Sequence, residues 1–339
     1  MAAGTVACPT VGALRAARFL AVVKHMWLQW RACVVWGALW SMAACTAGST
    51  ADAGNPPQSR LRDVPSGYQQ ALHVARAQRV ERLRTPDGWL SLVGSGRVQP
   101  GRYRVGSDAG NDIVLPAGPA QLGQLTLDAH GHARFRVAPG AVVALNGQPV
   151  QVAGLRPERA GQRGDRLDLE QRQFFLVQTG NAFGWRLRDP RAPALSRFDG
   201  LEYFPTDPRW RVRAHWQPYV PARTTTLLTS IGTTLTVQVP GEAVFARDGR
   251  HYRLQPIAQD GGGLVFLFAD RTSGKDSYGG ARYLTTALPR DGEVVLDFNL
   301  AENPPCAFTP HVVCPIAPLE NRLAVAVSAG ETTYRPAEP

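Results

Sequence analysis

Lysine is almost missing from this chain. Lys24 and Lys275 are the only two among 339 residues, and arginine supplies nearly all the basic charge. The formal net charge is +10, yet no basic run and no aromatic-basic signature accompanies it, which argues against a DNA or RNA partner. Sustained helical periodicity is missing after Arg84, which argues against a doubly wound α/β enzyme fold. No HExxH and no GxxxxGK[ST] stretch occurs, so the chain carries neither a zinc-hydrolase nor a P-loop signature. No cofactor motif is present. Cysteine is scarce at five residues, and their positions prove informative.

What is present begins with a leader. Residues 1–45 hold Arg15, Arg18, Lys24 and Arg31 and no acids; setting these aside reduces the net charge to +6. From Met26, an alternative start, "MWLQWRACVVWGALWSMAAC" runs from a short basic n-region through an apolar stretch to Cys45. The stretch is short for a membrane-spanning helix and has a signal peptide's layout. Met42-Ala43-Ala44-Cys45 resembles a bacterial lipobox, with methionine in place of the usual leucine, so lipidation at Cys45 is expected. An ordinary cleaved signal or a single membrane anchor is the competing reading. Residues 46–59 are small, polar and rich in breakers, and 46–66 read as a tether. The expected location is the periplasmic side of the cell envelope, in an outer-membrane lipoprotein whose membrane contact is the lipid. The absence of Asp after Cys45 fits outer-membrane sorting, by resemblance to the bacterial rule.

Two regions follow, 67–197 and 198–339. Gly67 to Arg84 reads as a helix, with Tyr68, Leu72, Ala75, Val80 and Leu83 as its apolar stripe and arginines on the other side. Pro86-Asp87-Gly88 stops it. Short apolar runs punctuated by Gly, Pro, Asn and Asp then predict an antiparallel β-sandwich to about Arg197. In the second region "RWRVRAHW" alternates: Trp210, Val212, Ala214 and Trp216 share one face, and Arg211, Arg213 and His215 the other. Asp248-Gly249 reads as a hairpin turn. "EVVLDF" and "LAVAVSAGE" read as strands flanking a long Pro-rich loop. The expected fold is all-β: two packed antiparallel sandwich or barrel-like regions behind one N-terminal helix.

Two resemblances enter on specific residues. "GRYRVGSDAGNDIVLP" at Gly101–Pro116, with "LNGQPV" later, is similar to forkhead-associated domains, which are phosphothreonine-binding β-sandwiches. Their phosphate-binding arginine is replaced by Ser107 and their Ser-x-x-His is missing, so the likeness implies shape only. More widely, "DGWLSLVG" (87–94), "GSDAGNDIVLP" (106–116), "FDGLEYFPTDPRW" (198–210), "FADRTSGKDSYGGARYL" (268–284) and the Pro-rich stretch occur in the order found in the bacterial domain-of-unknown-function family 1684. The resemblance covers nearly the whole mature chain. It implies that the two β regions form one unit, and it implies no activity.

Candidate chemistry concentrates in two C-terminal loops. "DFNLAENPPCAFTPHVVCPIAPLENRL" (297–323) has five prolines, which oppose floppiness. With Cys8 and Cys33 in the leader and Cys45 as the candidate anchor, Cys306 and Cys314 read first as a disulfide closing a nine-residue ring, worth roughly 2–3 kcal/mol. A Cys306 thiolate with His311 as base, or a Cys-Cys-His metal site, are the competing readings. Asp297, Asn299, Glu302, Asn303, Glu320, Asn321 and Arg322 crowd the mouths of this loop. They either satisfy loose backbone groups or line a polar pocket. In the pocket reading Arg322 and Arg282 hold a small anionic ligand and Asp297 or Glu320 acts as acid or base. "ADRTSGKDSYGGARY" adds Asp270, Tyr278 and Arg282 around three glycines, either as a hairpin turn or as an anion cradle. The leading functional expectation is a binding or structural role in the cell envelope. The alternative is a hydrolase using the loops' carboxylates and arginines. The two are separated by whether these groups converge in one concave pocket.

Overall fold

A computed structural model of the chain describes residues 65–259 and 262–336. The leader, Cys45 and nearly all of the tether lie outside the described residues. The helix Ser66–Arg84 ends at Thr85, whose backbone is extended (φ −63°, ψ 144°) because the ring of Pro86 disfavours helical geometry in the preceding residue. Leu72 and Leu83 are buried on its inner face. So is Arg79, which the sequence pattern places on the solvent side; Glu331 and a backbone carbonyl bind it there. No helix among the described residues is long and apolar enough to cross a membrane.

The first β region is a sandwich. A six-stranded sheet runs in the order Leu92–Val98, Ala182–Arg188, Arg172–Thr179, Leu167–Leu169, Ala144–Leu145, Gln148–Pro149. A five-stranded sheet runs in the order Ile113–Val114, Gly101–Gly106, Gly123–Leu127, Ala133–Val137, Val152–Leu155. Both contribute to one core that includes Val105, Leu125, Phe135, Phe174, Leu176 and Leu187. Strand period sorts these side chains. In Ala133–Val137 the residues Ala133, Phe135 and Val137 are buried, while Arg134 and Arg136 point to water.

The second β region is built on the hairpin of Arg211–Leu228 with Thr234–Arg247, flanked by Arg250–Leu254 and Glu293–Asp297. Trp210 and Ala214 are buried in its core, Val212 and Trp216 pack against it, and Arg211, Arg213 and His215 are exposed. Asp248 and Gly249 both take positive φ (51° and 71°) in the two-residue turn before Arg250, a geometry that asparagine, aspartate and glycine tolerate best. A three-stranded sheet of Pro256–Ala258, Leu264–Phe268 and Arg282–Thr286 completes the core through Phe266, Phe268 and Leu284.

One expected strand does not form. "LAVAVSAGE" is irregular, although Leu323, Val327 and Ala329 are buried at alternate positions as a strand pattern demands. Isolated backbone bonds to Ala269, Arg271, Phe204 and Ala301, together with side chains, take its backbone in place of a continuous neighbouring strand. Arg282 donates to the carbonyls of Val327 (2.8 Å) and Ala329 (2.5 Å), and the Val327 amide donates to Asp270 (3.1 Å).

Candidate functional site

The long loop is an ordered strap. Three short 3-10 turns, Phe298–Leu300, Pro305–Ala307 and Leu319–Asn321, divide it. Cys306 and Cys314 form a disulfide, with Cα atoms 6.2 Å apart. A bridged cysteine has no thiolate, so neither the Cys306–His311 nucleophile nor the Cys-Cys-His metal reading stands. Val312 and the disulfide of the strap pack on Leu92 and Phe175 of the sandwich. Backbone bonds from Ser230 to Cys314 (2.8 Å) and from Ile316 to Leu228 (2.9 Å) tie the strap to the tip of the long hairpin.

The polar residues singled out from the sequence fall into separate networks. Asp297 and Asn299 anchor the start of the helix. Tyr68 donates its hydroxyl to Asp297 (2.8 Å), Asn299 donates to Tyr68 (3.1 Å), and Asn299 exchanges bonds with the backbone of Asp207. Burial, followed by the bond to Asp297, pushes the Tyr68 pKa well above the ordinary tyrosine range. Asp270 and Arg282 form a second unit at 2.6 Å, both side chains wholly shielded from solvent. Asp270 also accepts from the Thr272 amide and hydroxyl, so the Gly-rich turn is knitted to the ion pair rather than opened around an anion. The half-buried ring of Tyr278 lies over Gly280. Asn321 is buried and bonds both backbone groups of Gln255 and the carbonyl of Leu267. Glu320 and Arg322 are exposed, and neither makes an ion pair among the described residues. Glu320 and Asn321 border a recess of about 20 Å³, room for roughly one water.

The cavities lie elsewhere, on both sides of the strap. One lobe of about 380 Å³ sits between His311–Val313 and the face formed by Gly96, Phe183 and Trp185. Gly96 is required there: a Cβ would stand 2.5 Å from the Trp185 ring nitrogen. At this lobe Ser95 Oγ lies 3.0 Å from His311 Nδ1, and burial, with Arg186 nearby, pushes the His311 pKa down. No carboxylate contacts the His311 ring among the described residues. The larger lobe, about 910 Å³, opens between the sandwich and the second β region. Its apolar wall is made by Leu235, Val237, Ile257, Val265 and Tyr283, opposite Val312 and Val313 of the strap. Val177, Thr179, Arg186, Val312 and Val313 line both lobes, so the two form one cleft.

The polar end of the cleft is cationic. Arg159, Arg163 and Arg186 line it, with Glu158 as the acid beside them. Glu158 is already shared between Arg166, itself buried, and Arg186 (3.8 Å). Arg166 stacks on Phe175 at 3.8 Å, and Arg188 lies over the same ring at 5.3 Å. Burial, then the neighbouring Arg166, lowers the Arg188 pKa to about 10. Two arginines therefore share one ring, and Glu158 is the one carboxylate contacting Arg166 and Arg186 among the described residues, leaving an excess of positive charge. Sequence reading missed this cleft because "TTLTVQV" and "GLVFLF" carry the same alternation whether a strand faces a core or a cavity.

An HxH spacing, His130-Gly131-His132, lies on a turn beside Asp128, but no group of three or more metal-ligating side chains gathers among the described residues.

No curated protein matches the chain. Among solved structures, the solution NMR structure of an uncharacterized protein of Haloarcula marismortui is 35% identical, with a TM-score of 0.35; the match covers 41% of this chain and 78% of that one. The family model matches residues 196–332, so the span runs over the second β region and not over nearly the whole mature chain. With the "FDGLEYFPTDPRW" and "FADRTSGKDSYGGARYL" segments and the strap all inside that span, the chain belongs to the family described as protein of unknown function, DUF1684.

Proposed function

We propose that this protein is an exported binding protein, held at the cell envelope by a lipid on Cys45, and that its cleft takes an anionic amphiphile. The observation that carries this reading is the cleft itself: an apolar wall of Val237, Ile257, Val265 and Tyr283 leads to the arginines at 159, 163 and 186. A pocket with extended apolar walls and a few convergent charges suits a ligand with an apolar body and one acidic group. The disulfide supports an oxidising compartment, since such bridges persist outside the cytosol. Burying an apolar tail supplies about 25 cal/mol per Å² of affinity before ordering costs, and the arginines set its orientation.

The test is displacement of a fluorescent long-chain fatty acid from the purified chain carrying Cys45→Ala, which removes the lipid acceptor. Binding is expected, and Val265→Asp is expected to weaken it roughly tenfold or more by placing a charge on the apolar wall. Equal affinity in the wild type and in this variant would overturn the cleft as the site. The anchor is tested separately: labelled palmitate is expected to enter the wild-type chain in cells and not Cys45→Ala. Equal labelling of both would rule out Cys45 as the acceptor.

Hydrolysis is a second reading, favoured only by the Ser95–His311 contact. Without a group to orient the ring, that contact is a weaker basis than the cleft's shape. The carboxylates and arginines of the two C-terminal loops do not support it, because they sit in separate buried networks or at the exposed surface.

A further inference from the structure

A smaller cavity of about 180 Å³ lies on the opposite flank of the strap's first residues, between the helix Ser66–Arg84 and the second β region. Arg76, Arg79 and Arg82 line it from the helix, and Tyr203, Glu302 and Glu331 face them. The helix places these arginines three residues apart, on neighbouring turns of one face. Two of the three are already matched. Arg79 bonds Glu331 (2.9 Å) and the Asn303 carbonyl (2.8 Å) and sits 3.3 Å from Glu302. Arg82 bonds Glu302 (2.7 Å). Arg76 has no acidic partner among the described residues. Its guanidinium stacks over the Tyr203 ring at 4.2 Å, while its Nε and Nη2 are shut off from solvent with no hydrogen-bond partner. The Tyr203 hydroxyl is likewise buried and without a partner.

Three unmatched donors in one place are costly unless something accepts from them. The Nε–Nη2 edge of a guanidinium is a fork that grips two oxygens of a carboxylate or phosphate at once. The two glutamates do not oppose such a guest, because Arg79 and Arg82 hold them. We propose that this cavity is a second binding site, distinct from the cleft, for a small oxyanion of the carboxylate or phosphate class. Arg76 supplies the fork and Tyr203 a hydroxyl donor. The guest would bridge the helix to the segment around Tyr203, so its binding clamps the helix onto the β unit.

A ligand that binds only the folded state raises its melting temperature saturably. The experiment measures thermal unfolding of the full chain in chloride, inorganic phosphate and succinate at matched ionic strength. A saturable rise of about 2–6 °C is expected with at least one of the two oxyanions. Which of them acts separates a phosphate guest from a carboxylate guest. Arg76→Gln should abolish the rise, and Tyr203→Phe, which removes one hydroxyl and keeps the ring, should at least halve it. Arg134→Gln, exposed on the sandwich and outside the cavity, should retain all of it. Should Arg76→Gln fail to fold, Tyr203→Phe and Arg134→Gln still decide the matter. An equal rise in wild type and Tyr203→Phe, or no saturable rise with either anion, would overturn the proposal.

Discussion

Arg282→Met is expected to lower the unfolding free energy by about 3–5 kcal/mol, the largest loss from any single substitution considered for this protein. The Arg282 side chain is wholly buried, and burial lowers its pKa while Asp270 opposes that shift. A guanidinium stays charged in a protein, so it must be matched in place. Asp270 matches the charge at 2.6 Å, the carbonyls of Val327 and Ala329 take further N–H groups, and the Phe268 ring lies 4.9 Å from the guanidinium carbon. Methionine fills much of the same volume but strips Asp270 of its counter-charge and frees two buried carbonyls. Between Val325 and Gly330 the pair supplies three of the bonds to the segment's backbone, so the order of this stretch should weaken with the pair. Arg282→Lys should fall between, since an ammonium is a point charge and cannot span a carboxylate and two carbonyls as a fork does. Equilibrium urea denaturation measures both. A loss below about 1 kcal/mol for Arg282→Met would show that the pair is not shielded as described.

Arg79→Met should cost about 3 kcal/mol at neutral pH, and the cost should depend on pH. Burial works against the Arg79 charge, but Glu331 and Glu302 more than offset it and hold its pKa above the ordinary value. Glu331 is fully buried; burial raises its pKa above the ordinary 4.5, while Arg79 and the Asn303 amide (2.6 Å) pull it back. A carboxyl with a raised folded-state pKa contributes stability that is complete below its unfolded pKa and is lost as pH rises through the folded one. Removing Arg79 raises the Glu331 pKa further. The variant's deficit should therefore be small near pH 4, where Glu331 is protonated in either protein, and should widen towards pH 8. Urea midpoints of both proteins across that range test this. A deficit independent of pH would mean that Arg79 stabilises by packing alone, for example through Phe308, 5.4 Å from its guanidinium carbon.

These two pairs mark where sequence reading stops. The alternation in "RWRVRAHW" is legible because strand period is local, and the buried and exposed positions follow it residue by residue. The Asp248-Gly249 turn is equally local. Asp270 and Arg282 were visible as an acid and a base twelve residues apart, but a Gly-rich polar loop looks the same whether it cradles an anion or closes on its own ion pair. Glu331 was passed over altogether, and its partner Arg79 lies 252 residues earlier. Nothing local distinguishes such an arginine from the exposed arginines on the same helix.

From the amino-acid sequence by itself came the all-β class, the single leading helix, the hairpin rhythm and the Cys306–Cys314 pairing. These follow from side-chain period, turn chemistry and simple counting, each confined to a short window. Only the tertiary structure decided that Leu323–Glu331 is irregular, that Arg79 points inward, and that the strap lines a cleft with valines and a histidine rather than with its carboxylates. Each of those outcomes depends on which distant group meets a buried charge or an unmatched backbone atom. In this chain such partners are set by the packing of one β region against the other.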